Sequence, residues 1–251
     1  MENQAQNSGK LFIVGIGPGD LSHLSQKAGS AIDNCQAVVG YKRYLKTIEP
    51  MLNGQETHSF GMRQETARCR AAIELCRSGK VVALISSGDP GIYGMAGLTL
   101  ELLVGSDYND EVEVEIIPGV SALNYAASLL GAPIAHDFAV ISLSDLLTPW
   151  EKITTKIRAA AEADFVIVIY NPKSRKRRHQ IEEARDICLR YRDQANPAGI
   201  VRMDGNEPIV TVTNLKNMCD FEIDMMTTVV IGNSATFMSG KRMITPRGYP
   251  L

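Results

Sequence analysis

Short apolar runs that stop at glycine recur along this chain and restrict its fold more than any other feature. Leu11-Phe12-Ile13-Val14 stops at Gly15, and Ala37-Val38-Val39 stops at Gly40. Val81-Val82-Ala83-Leu84-Ile85 runs into Ser86-Ser87-Gly88-Asp89-Pro90-Gly91, and the alternating run Val112 to Ile117 into Pro118-Gly119. Short β-branched runs bounded by turn residues predict strands. Between them, Leu21 to Asn34, Met62 to Ser78, Met95 to Val104 and a small-residue stretch to Leu130 predict helices. Alternation of this kind predicts an α/β fold. In open α/β sheets, ligands bind beyond the carboxyl ends of the strands. The glycine-rich ends are therefore the first candidates for a site.

The second half alternates too. Ala139 to Leu143, Asp164 to Ile169, Gly199 to Arg202, Pro208 to Val212 and Thr227 to Ile231 predict strands. Thr148 is placed to cap a helix from Pro149, and Ser174 a long helix to Arg192. Gly131-Ala132-Pro133 breaks the pattern between the halves. Two α/β domains are predicted, residues 1–133 and 134–251, with a small-ligand cleft expected between them.

Composition narrows the function classes. The chain has 251 residues, 45% of them hydrophobic, which is enough for a sizeable core. Its formal net charge is −2 with both signs mixed, so no basic face points to nucleic acid. The run Lys173–Arg178 is the only dense basic cluster and reads equally well as a solvated helix start. No apolar run is long enough to span a membrane. Met1 to Ser8 is polar, unlike a signal peptide. The five scattered cysteines form no Cys-x-x-Cys pair, so no structural metal is expected, and a reduced cytoplasmic protein fits them. Cys69 and Cys76 lie two helical turns apart and are expected in the core.

The first loop, Gly15-Ile16-Gly17-Pro18-Gly19-Asp20, differs from a dinucleotide fingerprint. Asp20 stands where that pattern needs Gly or Ala. Pro18 removes an N–H donor, which disfavours a phosphate cradle. The four histidines stand in no hydrolase motif. His136 beside Asp137 is the one suggestive pair, and a local structural pairing explains it as readily.

The motifs resemble those of the tetrapyrrole methylases. Gly15 to Asp20 is similar to their first signature, Ser87-Gly88-Asp89-Pro90-Gly91-Ile92-Tyr93 to their second, and Pro118-Gly119-Val120-Ser121-Ala122 to their third. The resemblance runs from Lys10 to Leu251. Val39-Gly40-Tyr41, Gly61-Met62, His136-Asp137-Phe138, Ile141 to Trp150 and Thr245 to Tyr249 narrow it to the ring-contracting methyltransferases of cobalamin biosynthesis. Where such enzymes often carry a second arginine after Val201-Arg202, this chain has Asn206.

The resemblance implies S-adenosylmethionine as methyl donor (S-adenosylhomocysteine as product), a tetrapyrrole substrate, and a homodimer without nucleic-acid or membrane partners. It places cofactor contacts on Pro18, Ser87, Gly88, Asp89, Ile92, Ser121, Ala122 and Asn171, with Met203 and Asp204 less firmly aligned. Asp89 then receives the methionine ammonium or keeps the sulfonium side negative; the alternative is an aspartate that bonds its own turn. Ring contraction needs proton transfer. Asp89, Tyr93, His136, Asp137, Ser142, Ser144 and Asp145 are the candidates in the matched motifs. Arg63, Lys173 and Arg175, with Arg247 behind them, are candidates for the substrate's carboxylates. The rival readings are a methylase of the same fold acting elsewhere, a non-catalytic corrinoid carrier and a nicotinamide-dependent reductase.

Overall fold

The computed structural model describes residues 9–106, 111–204 and 207–250, with Asp204 placed by its backbone alone. The chain divides into two units, Met1–Ala122 and Leu123–Leu251.

The first unit holds β1 (Lys10–Gly15), β2 (Ala37–Tyr41), β3 (Glu56–Phe60), β4 (Val81–Ser86) and β5 (Glu113–Ile117). They form one sheet in the order β3-β2-β4-β1-β5, every pair parallel. A parallel sheet is covered on both faces, which explains the unbroken apolar runs of its central strands. Leu11, Ile13, Val39 and Leu84 pack with α3 (Glu65–Arg77) and α4 (Met95–Val104). Val14, Val38 and Ile85 pack with α1 (Gln26–Asp33) and α2 (Lys42–Ile48) on the other face. Cys69 and Cys76 are buried in α3 as expected.

Two local features depart from expectation. The helix predicted from Leu21 is a separate 3-10 turn, Leu21–His23, followed by α1 from Gln26. Each has its own cap: Asp20 accepts from Ser22 N at 2.9 Å, and Ser25 Oγ accepts from Ala28 N at 3.1 Å. The helix α2 and the strand β3 were not anticipated. β3 reads Glu-Thr-His-Ser-Phe and sits at the sheet edge, where no apolar alternation is required.

The second unit contains β7 (Phe138–Ser142), β8 (Val166–Tyr170), β9 (Pro197–Asp204), β10 (Glu207–Asn214) and β11 (Thr227–Ile231). Their order is β10-β9-β11-β8-β7, with only β7 and β8 parallel. One face packs with α6 (Trp150–Glu162) and α7 (Gln180–Cys188). The other packs with α5 (Ala122–Leu130) through Leu123, Ala126 and Leu130. The division accordingly falls after Ala122, at the first residue of α5, not after Pro133. Gly131-Ala132, expected as a domain break, is the short strand β6, and it pairs with β13 (Arg242–Ile244), which also pairs with β12 (Phe237–Ser239).

Two expected caps are replaced. Pro149 is the N-cap of α6 with no side-chain bond, so Thr148 does not cap it. Ser174 Oγ accepts from Arg177 N at 3.1 Å and closes a turn, and α7 begins only at Gln180. No helix among the described residues is long and apolar enough to cross a membrane, and those residues contain no metal-binding group of histidine, cysteine and carboxylate side chains.

Candidate cofactor site

β4, β1 and β5 are neighbours, so the loops after them lie side by side. β1 connects towards one side of the sheet and β4 towards the other, the kind of switch point where α/β sheets bind ligands. Gly17 and Gly88 bond to each other across the first two loops, N to O in both directions, at 3.2 and 2.7 Å. Gly88 has φ +61°, a region that favours glycine. A Cβ on Gly119 would lie 2.2 Å from Gly88 O and 2.7 Å from Gly15 C. The three backbones therefore meet with no room for side chains.

Asp89 braces the same place. Its Oδ1 accepts from Gly91 N at 2.8 Å, and its Oδ2 accepts from Gly119 N at 3.1 Å. One bond shapes its own loop and the other ties that loop to the loop after β5. A carboxylate has about four acceptor sites, so capacity remains for a ligand donor. Of the two roles expected for Asp89, turn-bonding and ligand contact, the structure shows the turn bond, together with the link to Gly119. At the start of the site, burial pushes the Asp20 carboxyl up, but bonds from Ser22 and His23 outweigh it and hold the group low.

The amides of Ile16, Gly17, Gly88, Gly91 and Gly119 all donate within the protein. A phosphate needs such amides for itself. The site therefore fits a cofactor without phosphate, as S-adenosylmethionine is. Pro18, Asp89, Ile92 and Ala122 are half-buried around it, Ser121 is buried and Ser87 is exposed. Tyr93 has φ +53° and is 56% exposed, so a strained turn presents its ring outward.

In the second unit, the ends of β7 and β8 form their own cluster. Asn171, with φ +51°, donates from Nδ2 to Ser142 Oγ at 3.0 Å. Ser142 Oγ also accepts from Ser144 N at 3.2 Å. Arg177, which sequence reasoning did not single out, is buried and donates to Asn171 O at 2.7 Å. It also faces Asp145 at 3.6 Å. Tyr170 was missed as well: its hydroxyl accepts from Leu123 N at 2.7 Å, where α5 begins. A buried arginine three residues past Ser174 leaves no sequence signal that separates it from its exposed neighbours.

The other predicted residues are dispersed. His136 and Asp137 precede β7, whereas Ser142 and Ser144 stand at its far end. Five strand residues span about 17 Å, so the histidine pair and the serines do not meet. His136 Nδ1 accepts from Asp137 N at 2.8 Å, a local pairing. Arg63 is exposed after β3 with φ +65°. Lys173 is half-buried, and Arg175 lines a cavity of about 390 Å³ with Trp150 and His179. Met203 is half-buried in β9, and Arg247 is exposed; the side chain of Asp204, with Asn206, lies outside the described residues.

The profile of the Tetrapyrrole (Corrin/Porphyrin) Methylases matches residues 10–217. The chain is 51% identical to the cobalt-factor III methyltransferase of Priestia megaterium over 96% of its own length, though it spans only 45% of that relative. It is 47% identical to a probable cobalt-factor III C(17)-methyltransferase of Salmonella typhimurium, covering 96% of this chain and 100% of that one. The crystal structure of the methyltransferase CobJ superposes with a TM-score of 0.90 at 33% identity, over 95% of this chain and 100% of that one. A profile match across most of the chain and an end-to-end relative place it in one family: the chain is a member of the tetrapyrrole (corrin/porphyrin) methylases.

Proposed function

We propose that the protein uses S-adenosylmethionine to methylate C-17 of a precorrin-3B-type macrocycle, with ring contraction, in cobalamin biosynthesis. The observation that carries this reading is the 47% identity with the Salmonella relative, end to end. The names of the relatives favour the cobalt-containing substrate over the metal-free one. By likeness to the family, a cytoplasmic homodimer belongs to the same reading, and light scattering tests the dimer.

S-adenosylmethionine supplies a methyl group already activated by the sulfonium. What the chain supplies is position, which can account for roughly 7–11 kcal/mol of barrier. In this reading, Pro18, Ser87, Gly88, Asp89, Ile92, Ser121 and Ala122 hold the cofactor, joined by Asn171, Met203 and Asp204. The Asp89 bonds to Gly91 and Gly119 keep two of those loops in register. Contraction needs a proton donor or acceptor at the ring. Tyr93 is the first candidate because its strained turn exposes the hydroxyl-bearing ring. Ser144 is the second, and His136 and Asp137 stand apart from it.

The test is incubation with methyl-labelled S-adenosylmethionine and either macrocycle. Label in a product of shifted mass and visible absorption supports the reading. A corrinoid carrier would bind the macrocycle and transfer no label.

A further inference from the structure

Among the described residues, Arg68, Arg177 and Arg192 are buried arginines. Arg68 donates to Gly61 O at 3.3 Å, and Arg192 donates to Phe165 O and Gly232 O, just before β8 and just after β11. Arg177 serves the opposite end of β8, among residues expected in the site. It is 5% exposed, whereas Arg175, Lys176 and Arg178 beside it are exposed. Its Nη2 reaches back six residues to Asn171 O at 2.7 Å and meets Met225 Sδ at 3.7 Å, and its Nε has no partner. Main chain supports the reach: Ser174 N donates to Arg177 O at 2.8 Å, and Arg177 N donates to Ser174 Oγ at 3.1 Å. Asp145, expected among the proton-transfer candidates, is the counter-charge at 3.6 Å, and its other oxygen accepts from Gln180 Nε2 at 3.4 Å.

What Arg177 holds is a strained residue. Asn171 has φ +51°, uncommon for any residue but glycine. The residue after it is Pro172, which narrows the backbone of its predecessor further. Glycine would take this turn freely. The chain instead carries an asparagine, held through its carbonyl by Arg177 and through Nδ2 by Ser142 Oγ at 3.0 Å. A carboxamide offers two donors and an acceptor oxygen, so the bond to Ser142 leaves Oδ1 and one N–H for a ligand. Strain of this kind collects where a side chain must be aimed.

We infer that Arg177 is a positioning residue of the cofactor site, acting through Asn171. Its guanidinium fixes the left-handed turn at the end of β8, and that turn sets the direction of the carboxamide. Asp145 keeps the guanidinium charged and in place. The inference rests on the methylase reading, in which Asn171 contacts the cofactor, and names what holds that contact ready.

The test titrates S-adenosylhomocysteine by calorimetry into the parent, two Arg177 variants, Asn171→Gly, and the Arg177 variants combined with Asn171→Gly. Arg177→Lys keeps the charge beside Asp145 and loses the fork, so it is expected to fold and to bind about threefold more weakly or worse. Arg177→Met removes the donors as well and is expected to bind about tenfold more weakly or worse. Asn171→Gly is expected to bind more weakly than the parent, because it keeps the turn and loses the carboxamide. In that background the Arg177 substitutions are expected to change affinity by less than about twofold. An arginine that only shores up the loop gives the same loss in both backgrounds, and that result overturns the inference. So does an Arg177→Lys affinity equal to the parent's, whether or not Arg177→Met folds, and so does an Asn171→Gly that binds as the parent does. In each of these cases the methylase reading stands. A parent that binds no S-adenosylhomocysteine overturns both.

Discussion

Asp89 Oδ2 accepts from Gly119 N at 3.1 Å and so links the loop after β4 to the loop after β5 across the end of β1. The bond joins two motifs thirty residues apart in sequence. Hydrogen bonds to charged groups contribute about 1.5–3 kcal/mol each. Asp89→Ala is expected to weaken S-adenosylhomocysteine binding at least tenfold, about 1.4 kcal/mol, and to lower the melting temperature. Asp89→Asn keeps one acceptor oxygen and should fall between. Calorimetry on the three proteins decides; an unchanged affinity in Asp89→Ala would remove the brace from the binding site.

Glycine substitutions should split by position. An alanine at Gly119 puts its Cβ 2.2 Å from Gly88 O, and a loss of about 2 kcal/mol or more is expected. Gly97, inside α4, has nothing within 4 Å of its added Cβ. Gly97→Ala should gain about 0.4–1 kcal/mol. Urea unfolding of both variants checks the contrast.

Ser144→Ala and His136→Ala separate the two ends of β7. Ser144→Ala is expected to slow ring contraction, so that a methylated, uncontracted macrocycle accumulates. His136→Ala should contract at the parent rate, because its ring pairs locally with the Asp137 amide. Product masses and visible spectra read the outcome, and the reverse pattern would move the proton chemistry to the histidine.

Glu115 sets an acid limit on part of the first unit. Bonds from Lys27 and Lys10 hold its carboxyl down at about 2, from an ordinary 4.5. A carboxylate depressed on folding contributes stability that is fully present above the unfolded value. That contribution is lost as pH falls through about 2. Lys27→Ala should raise the Glu115 titration midpoint and shift acid unfolding to higher pH. Carboxyl NMR titration measures the first, circular dichroism the second.

Burial pushes the Cys76 thiol up to about 12 and those of Cys35, Cys188 and Cys219 to about 11. At pH 8 the folded protein should react with iodoacetamide at least about 100-fold more slowly than the unfolded chain. Cys219, which is only half-buried, should react first. Mass spectrometry of timed samples checks the order, and rapid labelling of Cys76 would contradict the burial.

The buried central strands were legible because a parallel sheet covered on both faces must be written in apolar residues, as Val81 to Ile85 is. β11 appears with the expected bounds because all five of its residues are buried, and α4 matches its expected bounds too. β3 was illegible because an edge strand needs no such pattern, and its five residues are mostly polar. The loops after β1, β4 and β5 could be read from their glycines, since only glycine fits where backbones touch. Arg68 and Arg177 could not, because nothing in a local stretch marks an arginine that turns inward. The division at the start of α5 depended on Leu123, Ala126 and Leu130 packing on strands far along the chain.

Gly17 and Gly88 are zipped together through main chain on both sides. Neither loop can change length by itself. One inserted residue would slide a partner by a step and turn its following side chains to the opposite face. Descendants of this architecture can therefore alter these loops only by replacing residues, never by lengthening one alone. Novelty in chain length is left to the ends of β2 and β3, where side chains of Gln64 and Arg68, not a backbone zipper, hold Gly61.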